Sequence, residues 1–224
     1  TVPLRVAERP WLERTAWRKE LRLIARSPKL AGPLLAGSVV LALIATGFVR
    51  FLGPGTFAPI AFTVASFGAM FLAEIAASAE VGWDLVRLSP ARESRLRGLK
   101  IGAALAAPLI LAVALCVVLA VLGRPWLALL TLACSVANAG ACAWVGICAV
   151  RPAPRQDVIQ GGSTYKPALL QIALQLPVNA GALGLGLVAF DLHAWGFCSL
   201  GVMALGVLAC FTLVAPDDPQ NQET

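Results

Sequence analysis

Long apolar blocks separated by short polar stretches dominate the pattern of this 224-residue chain. A transmembrane helix needs about 20 apolar residues to cross about 30 Å of hydrocarbon. None of the blocks alternates apolar and polar residues in the way that is typical of a membrane β-strand. We therefore predict an all-α integral membrane protein with six spans, at residues 31–51, 57–79, 101–122, 126–150, 167–190 and 195–214.

Composition agrees with this pattern. Charged residues make up 13% of the chain and hydrophobic residues 58%, whereas a soluble domain is about one quarter charged. An ordinary soluble domain is excluded. The predicted organisation is a transmembrane domain, 31–214, between a polar segment, 1–30, and an acidic tail, 215–224.

The distribution of lysine and arginine predicts the orientation. Eight of them lie in 1–30, five in 80–100 and three in 151–166, whereas the other connections contain only Arg50 and Arg124. Basic residues accumulate in cytoplasmic loops. The excess of basic residues, sixteen on one side against two on the other, therefore predicts that both termini and both longer loops are cytoplasmic.

The N-terminal segment has the pattern of a basic amphipathic helix. Trp17, Leu21 and Ile24 recur at helical spacing among arginines. Such a helix is typical of the anionic inner surface of a membrane, with Trp17 in the headgroup layer, and anionic lipids are its predicted partners. The alternative is a solvated basic tail.

Few polar residues fall inside the predicted spans. Glu74 is the one clear ionisable candidate, and it either has a function or reaches the interface and pairs with an arginine. The uncharged candidates share an amide side chain, and the last three of them fall at every fourth position of the fifth span: Asn138, Gln171, Gln175 and Asn179. Such a stripe either joins helices or lines a polar translocation path.

Small residues and prolines give further expectations for the spans. Pro108 and Pro177 lie inside spans and should kink them. The glycines that we expect to permit close helix contact are Gly140, Gly181, Gly184 and Gly186.

Catalytic signatures are missing from the sequence. It contains no phosphate-binding loop, no Cys-x-x-Cys pair among its six cysteines, and one histidine, His193. We therefore expect neither enzymatic activity nor a metal site in this chain. The basic residues belong to segments that flank the membrane, and no nucleic-acid partner is expected.

Three stretches resemble parts of a known family. They are Arg-Lys-Glu-Leu-Arg-Leu-Ile-Ala-Arg-Ser-Pro at 18–28, the charged segment 80–100 with its Trp-Asp-Leu and Ser-Pro, and Arg-Pro-Ala-Pro-Arg-Gln-Asp-Val-Ile-Gln-Gly-Gly at 151–162. With the order of spans, they resemble the membrane subunit, or one six-span half, of a type-2 ABC exporter permease.

The resemblance implies a mechanism and partners. A separate nucleotide-binding ATPase subunit would bind ATP and Mg and would transmit its motion through a cytoplasmic coupling helix, here 80–88. Trp83, Leu85 and Leu88 would be apolar anchors, with charged edges supplied by Glu80, Asp84 and Arg87. A second six-span unit would complete the transporter in the bacterial cytoplasmic membrane.

Other function classes stay open. A membrane assembly or scaffold protein, which binds partners through its cytoplasmic loops and transports nothing, is the main alternative. A membrane enzyme that acts on lipids is less favoured, because catalytic groups are missing.

Overall fold

A computed structural model describes residues 17–19, 21–22, 24, 53–78, 93–148 and 168–213 of the chain. Within these ranges every regular element is helical and there is no strand. The few N-terminal residues are helical. The main elements are a 3₁₀ turn, Pro54–Thr56, followed by α1, Phe57–Ser78, α2, Glu93–Val121, α3, Pro125–Cys148, α4, Ala168–Ala189, and α5, His193–Leu213.

Four stretches of these helices are long and apolar enough to cross a membrane, and they confirm a membrane-embedded helical protein. They are Pro54–Ala77, Arg97–Val121, Pro125–Cys148 and His193–Thr212. In α4 the apolar stretch Gln175–Ala189 is shorter, although the whole helix has 22 residues. The first predicted span, 31–51, lies outside the described residues.

α2 begins well before the predicted span. Its 29 residues start at Glu93, whereas the apolar pattern places the span at 101–122. At 1.5 Å per residue the helix is about 43 Å long, more than the hydrocarbon thickness. The charged stretch 93–100 forms the first two turns of α2. An apolar pattern shows where a helix enters the lipid and does not show where the helix itself begins.

Tight turns join α2 to α3 and α4 to α5. After α2, Gly123 has a φ of 86°, and the Arg124 amide donates to the Leu119 carbonyl. After α4, Asp191 takes the same left-handed conformation, with a φ of 64°, and the Leu192 amide donates to the Leu187 carbonyl at 2.9 Å. Both are Schellman endings, which satisfy the last carbonyls of a helix.

These turns gather at one end of the bundle, which we call the turn end. The Arg124 guanidinium donates a 2.8 Å hydrogen bond to the carbonyl of Ala189, at the end of α4. Gly55 of the 3₁₀ turn lies so close to Ala189 that a Cβ on Gly55 would be 2.9 Å from the Ala189 Cβ. The turn end therefore contains residues 53–56, 122–125 and 189–193.

The opposite end, which we call the charged end, contains the described N-terminal residues 17–19, 21–22 and 24 together with residues 74–78, 93–102 and 144–148. There α1 and α3 run side by side, and a Cβ on Gly146 would be 2.8 Å from the Ala73 Cβ. Trp17 packs against Gly102 of α2, and Ile24 is buried in the same apolar cluster as Leu72 and Ala104. The N-terminal helical residues are thus attached to the bundle at this end.

Small residues set the close helix contacts in the middle of the bundle. Gly181 of α4 faces the ring of Phe62 on α1 and the sulfur of Met203 on α5. Gly184 of α4 and Gly196 of α5 face each other, and a Cβ on Gly196 would be 2.9 Å from the Gly184 carbonyl oxygen. The predicted close contacts at Gly181 and Gly184 are confirmed.

Two other glycines, Gly140 and Gly186, make no such contact within the part of the chain that the structure describes. A Cβ on either would meet none of the described residues within 4 Å. The rotation of each helix about its own axis decides which glycines face a neighbour, and the sequence does not specify that rotation. Pro108 and Pro177 do lie inside α2 and α4, where each ring packs against a glycine of another helix.

Candidate functional site

The coupling residues predicted from the resemblance all lie outside the described residues: Glu80, Trp83, Asp84, Leu85, Arg87 and Leu88. The helices on either side of them are described. α1 ends at Ser78 and α2 begins at Glu93, and both of these helix ends belong to the charged end. The assignment of a coupling helix at 80–88 stays a prediction.

Glu74 lies one turn before the end of α1 and is partly buried. On α2, Arg97 is partly buried and Lys100 is 4% exposed. Each of these three residues takes part in at least one hydrogen-bonding, ionic, ring or electrostatic interaction. Burial of the Lys100 ammonium group would be costly without such compensation.

The N-terminal helical residues present two different sides. Trp17 and Ile24 pack against the bundle, whereas Arg18, Lys19 and Arg22 are exposed. Their apolar side therefore contacts the protein itself. The predicted binding of this segment to anionic lipids stays a prediction.

Asn138 is fully buried on α3. Its Nδ2 donates a 2.8 Å hydrogen bond to the hydroxyl oxygen of Ser66 on α1. The Ser66 hydroxyl in turn donates to the Phe62 carbonyl of its own helix at 2.8 Å. This polar contact joins α1 to α3 and supports the helix-joining role for Asn138.

Gln175 and Asn179 occupy a different position in the molecule. Both are exposed on one face of α4, one turn apart, whereas the neighbouring residues Pro177 and Val178 are buried. Gln171 belongs to α4, and its side chain lies outside the described residues. The structure therefore separates the exposed α4 amides from the buried amide of Asn138.

Sequence reasoning missed the hydroxyl residues around Asn138. Thr131 and Ser135 are fully buried on α3, and with Asn138 they recur at the i, i+4, i+7 spacing of one helix face. That spacing was visible in the sequence. The partner hydroxyl, Ser66 on α1, had no comparable signal, because its role depends on how α1 and α3 are rotated against each other.

A metal-binding cluster is absent from the part of the chain that the structure describes. No group of three histidine, cysteine or acidic side chains could hold a metal there. The six cysteines are free thiols. His193 is exposed at the turn end, where its Nδ1 lies 3.0 Å from the Asp191 carbonyl oxygen.

Comparison with protein-family models, with curated proteins and with solved structures finds no match for this chain. The fold and the described residues thus define a class of protein, a helical bundle embedded in a membrane.

Proposed function

We propose that the chain is the membrane-spanning permease component of an ATP-driven, ABC-type exporter. In this proposal six spans cross a bacterial cytoplasmic membrane, and both termini lie in the cytoplasm. A separate nucleotide-binding subunit binds ATP and Mg, and it contacts this chain through the coupling helix 80–88. A second six-span unit completes the translocation path.

One observation carries the proposal. The segment 79–92 connects two helices that pack tightly on each other, since a Cβ on Gly68 of α1 would be 3.0 Å from the Pro108 ring of α2. α1 also packs on α3 and α4, through Ala73 and Phe62. Because a close-packed interior transmits strain, a displacement of 79–92 would reach the membrane core through both α1 and α2.

Two further features agree with this proposal. The N-terminal basic helix contacts α2 directly through Trp17, at the end where 79–92 joins the bundle. The exposed amides of Gln175 and Asn179 are polar groups on a membrane helix, which either face a partner helix or line a polar path. A second six-span unit would provide both a partner helix and the other wall of a polar path.

The test replaces the central residues of the predicted coupling helix. We expect Trp83→Ala together with Asp84→Ala to abolish co-purification with an ATPase encoded by a neighbouring gene, while the protein still inserts in the membrane. The matched control is Trp195→Ala with Asp191→Asn at the turn end, where Trp195 is 72% exposed. Asparagine tolerates the left-handed conformation of residue 191.

Two results would contradict the proposal. The first is unchanged ATPase binding and transport in the Trp83/Asp84 double variant. The second is a cysteine-labelling map in which residues 80–100 react only with reagents added outside the cell. If the protein binds other proteins but no ATPase, the result would favour the alternative of a membrane scaffold protein.

A further inference from the structure

The face of α3 that contains Asn138 has polar atoms whose hydrogen-bonding capacity is unused. Asn138 Oδ1 and Ser135 Oγ are buried and have no hydrogen-bond partner in the described part of the chain. Both residues are 0% exposed. They lie three positions apart, so they share one side of the helix.

Other hydroxyl groups on α1 and α3 donate their protons to carbonyls of their own helices. Thr63 donates to the Pro59 carbonyl at 2.7 Å and Thr131 donates to the Leu127 carbonyl at 2.7 Å, both within their own helices. Ser66 likewise donates to Phe62 while it accepts from the Asn138 amide. None of these three hydroxyl groups donates a hydrogen bond to Asn138 Oδ1.

The environment makes this unused capacity unfavourable. In a membrane there is no bulk water to solvate a buried oxygen, and nearly all buried polar atoms have a partner. An internal water molecule typically binds where two to four such atoms converge. Asn138 Oδ1 is an acceptor only, whereas the Ser135 hydroxyl can both donate and accept.

We propose that Ser135 and Asn138 bind one water molecule inside the membrane-spanning bundle, beside the Ser66–Asn138 contact. The water donates one hydrogen bond to Asn138 Oδ1 and accepts one from the Ser135 hydroxyl. It extends the polar contact between α1 and α3 along the helix. This site is independent of any transported substrate and of the proposed function.

A native cysteine reports on this site. The Cys142 thiol lies 3.9 Å from Asn138 Nδ2 and is only 1% exposed, less than Cys116 at 5% and Cys210 at 7%. Short X-ray pulses generate hydroxyl radicals from ordered water, and these radicals oxidise nearby thiols. By exposure alone, Cys142 should be oxidised most slowly of the three.

The experiment measures cysteine oxidation rates by mass spectrometry in the whole protein, reconstituted in lipid nanodiscs. We expect Cys142 to be oxidised several-fold faster than Cys116 and Cys210. Ser135→Ala should lower the Cys142 rate several-fold, to that of Cys116 and Cys210 or below it. Thr131→Val is the matched control, because the Thr131 hydroxyl already donates within its helix, and it should leave the Cys142 rate unchanged.

An oxidation rate of Cys142 no higher than that of Cys116 would overturn the proposal. So would an unchanged Cys142 rate in Ser135→Ala, whose small substitution favours helix and preserves the fold. An equal decrease of the Cys142 oxidation rate in Ser135→Ala and in Thr131→Val would show a general effect of packing. That result would also overturn the proposal. None of these readouts requires an ATPase or a transported substrate.

Discussion

At the scale of single residues, Gly181 shows how a missing side chain organises this bundle. It lies on α4 where Phe62 of α1 and Met203 of α5 converge, and Phe62 is itself fully buried. A methyl group at this position would overlap the Phe62 ring. Three helices can therefore approach each other only because residue 181 has no Cβ.

We expect Gly181→Ala to destabilise the protein by about 1–3 kcal/mol, as is usual when a packed core is overfilled. The matched control on the same helix is Gly186→Ala, since a Cβ on Gly186 meets nothing within 4 Å. Unfolding by SDS titration would compare the two free energies of unfolding. Equal stability of the two variants would contradict the packing described for Gly181.

At the scale of elements, the end of α4 combines two ways of satisfying helix carbonyls. The Schellman turn at Asp191 closes the last turn of the helix. Arg124, from the turn between α2 and α3, donates to the Ala189 carbonyl at 2.8 Å. A cation near a helix C-terminus also interacts favourably with the helix dipole.

We expect Arg124→Ala to lower the free energy of unfolding by about 1 kcal/mol. The lost hydrogen bond comes from a charged donor, which strengthens it, whereas the partial exposure of Arg124 limits the loss. Arg22→Ala is the control, because Arg22 is exposed, and it should change stability by less than about 0.5 kcal/mol. Thermal unfolding in detergent would compare both with the unchanged protein. A loss in Arg22→Ala as large as that in Arg124→Ala would contradict the capping role.

Elements were predictable from the sequence to different degrees. Apolar length indicated α1, α3 and α5 to within a few residues, because hydrocarbon requires a run of apolar residues. The start of α2 was not predicted, because charged residues 93–100 continue the helix beyond the apolar block. The Ser66–Asn138 contact was not predicted either, since it depends on which faces of α1 and α3 meet.

At the scale of the whole molecule, the described residues separate into a turn end and a charged end. Buried Lys100, partly buried Glu74 and the attached N-terminal residues all lie at the charged end. The segment 79–92 joins α1 and α2 there. This arrangement gives the proposed coupling helix two packed membrane helices to act on, and that connection is the physical basis of the proposed exporter function.

The most direct test of this function is site-specific photo-crosslinking in membranes that also contain the ATPase encoded by the neighbouring gene. A photoreactive amino acid in place of Trp83 should form a light-dependent adduct with the ATPase, and the same amino acid in place of Trp195 at the turn end should not. An adduct from position 195 but not from position 83, or from neither position, would contradict the proposed coupling.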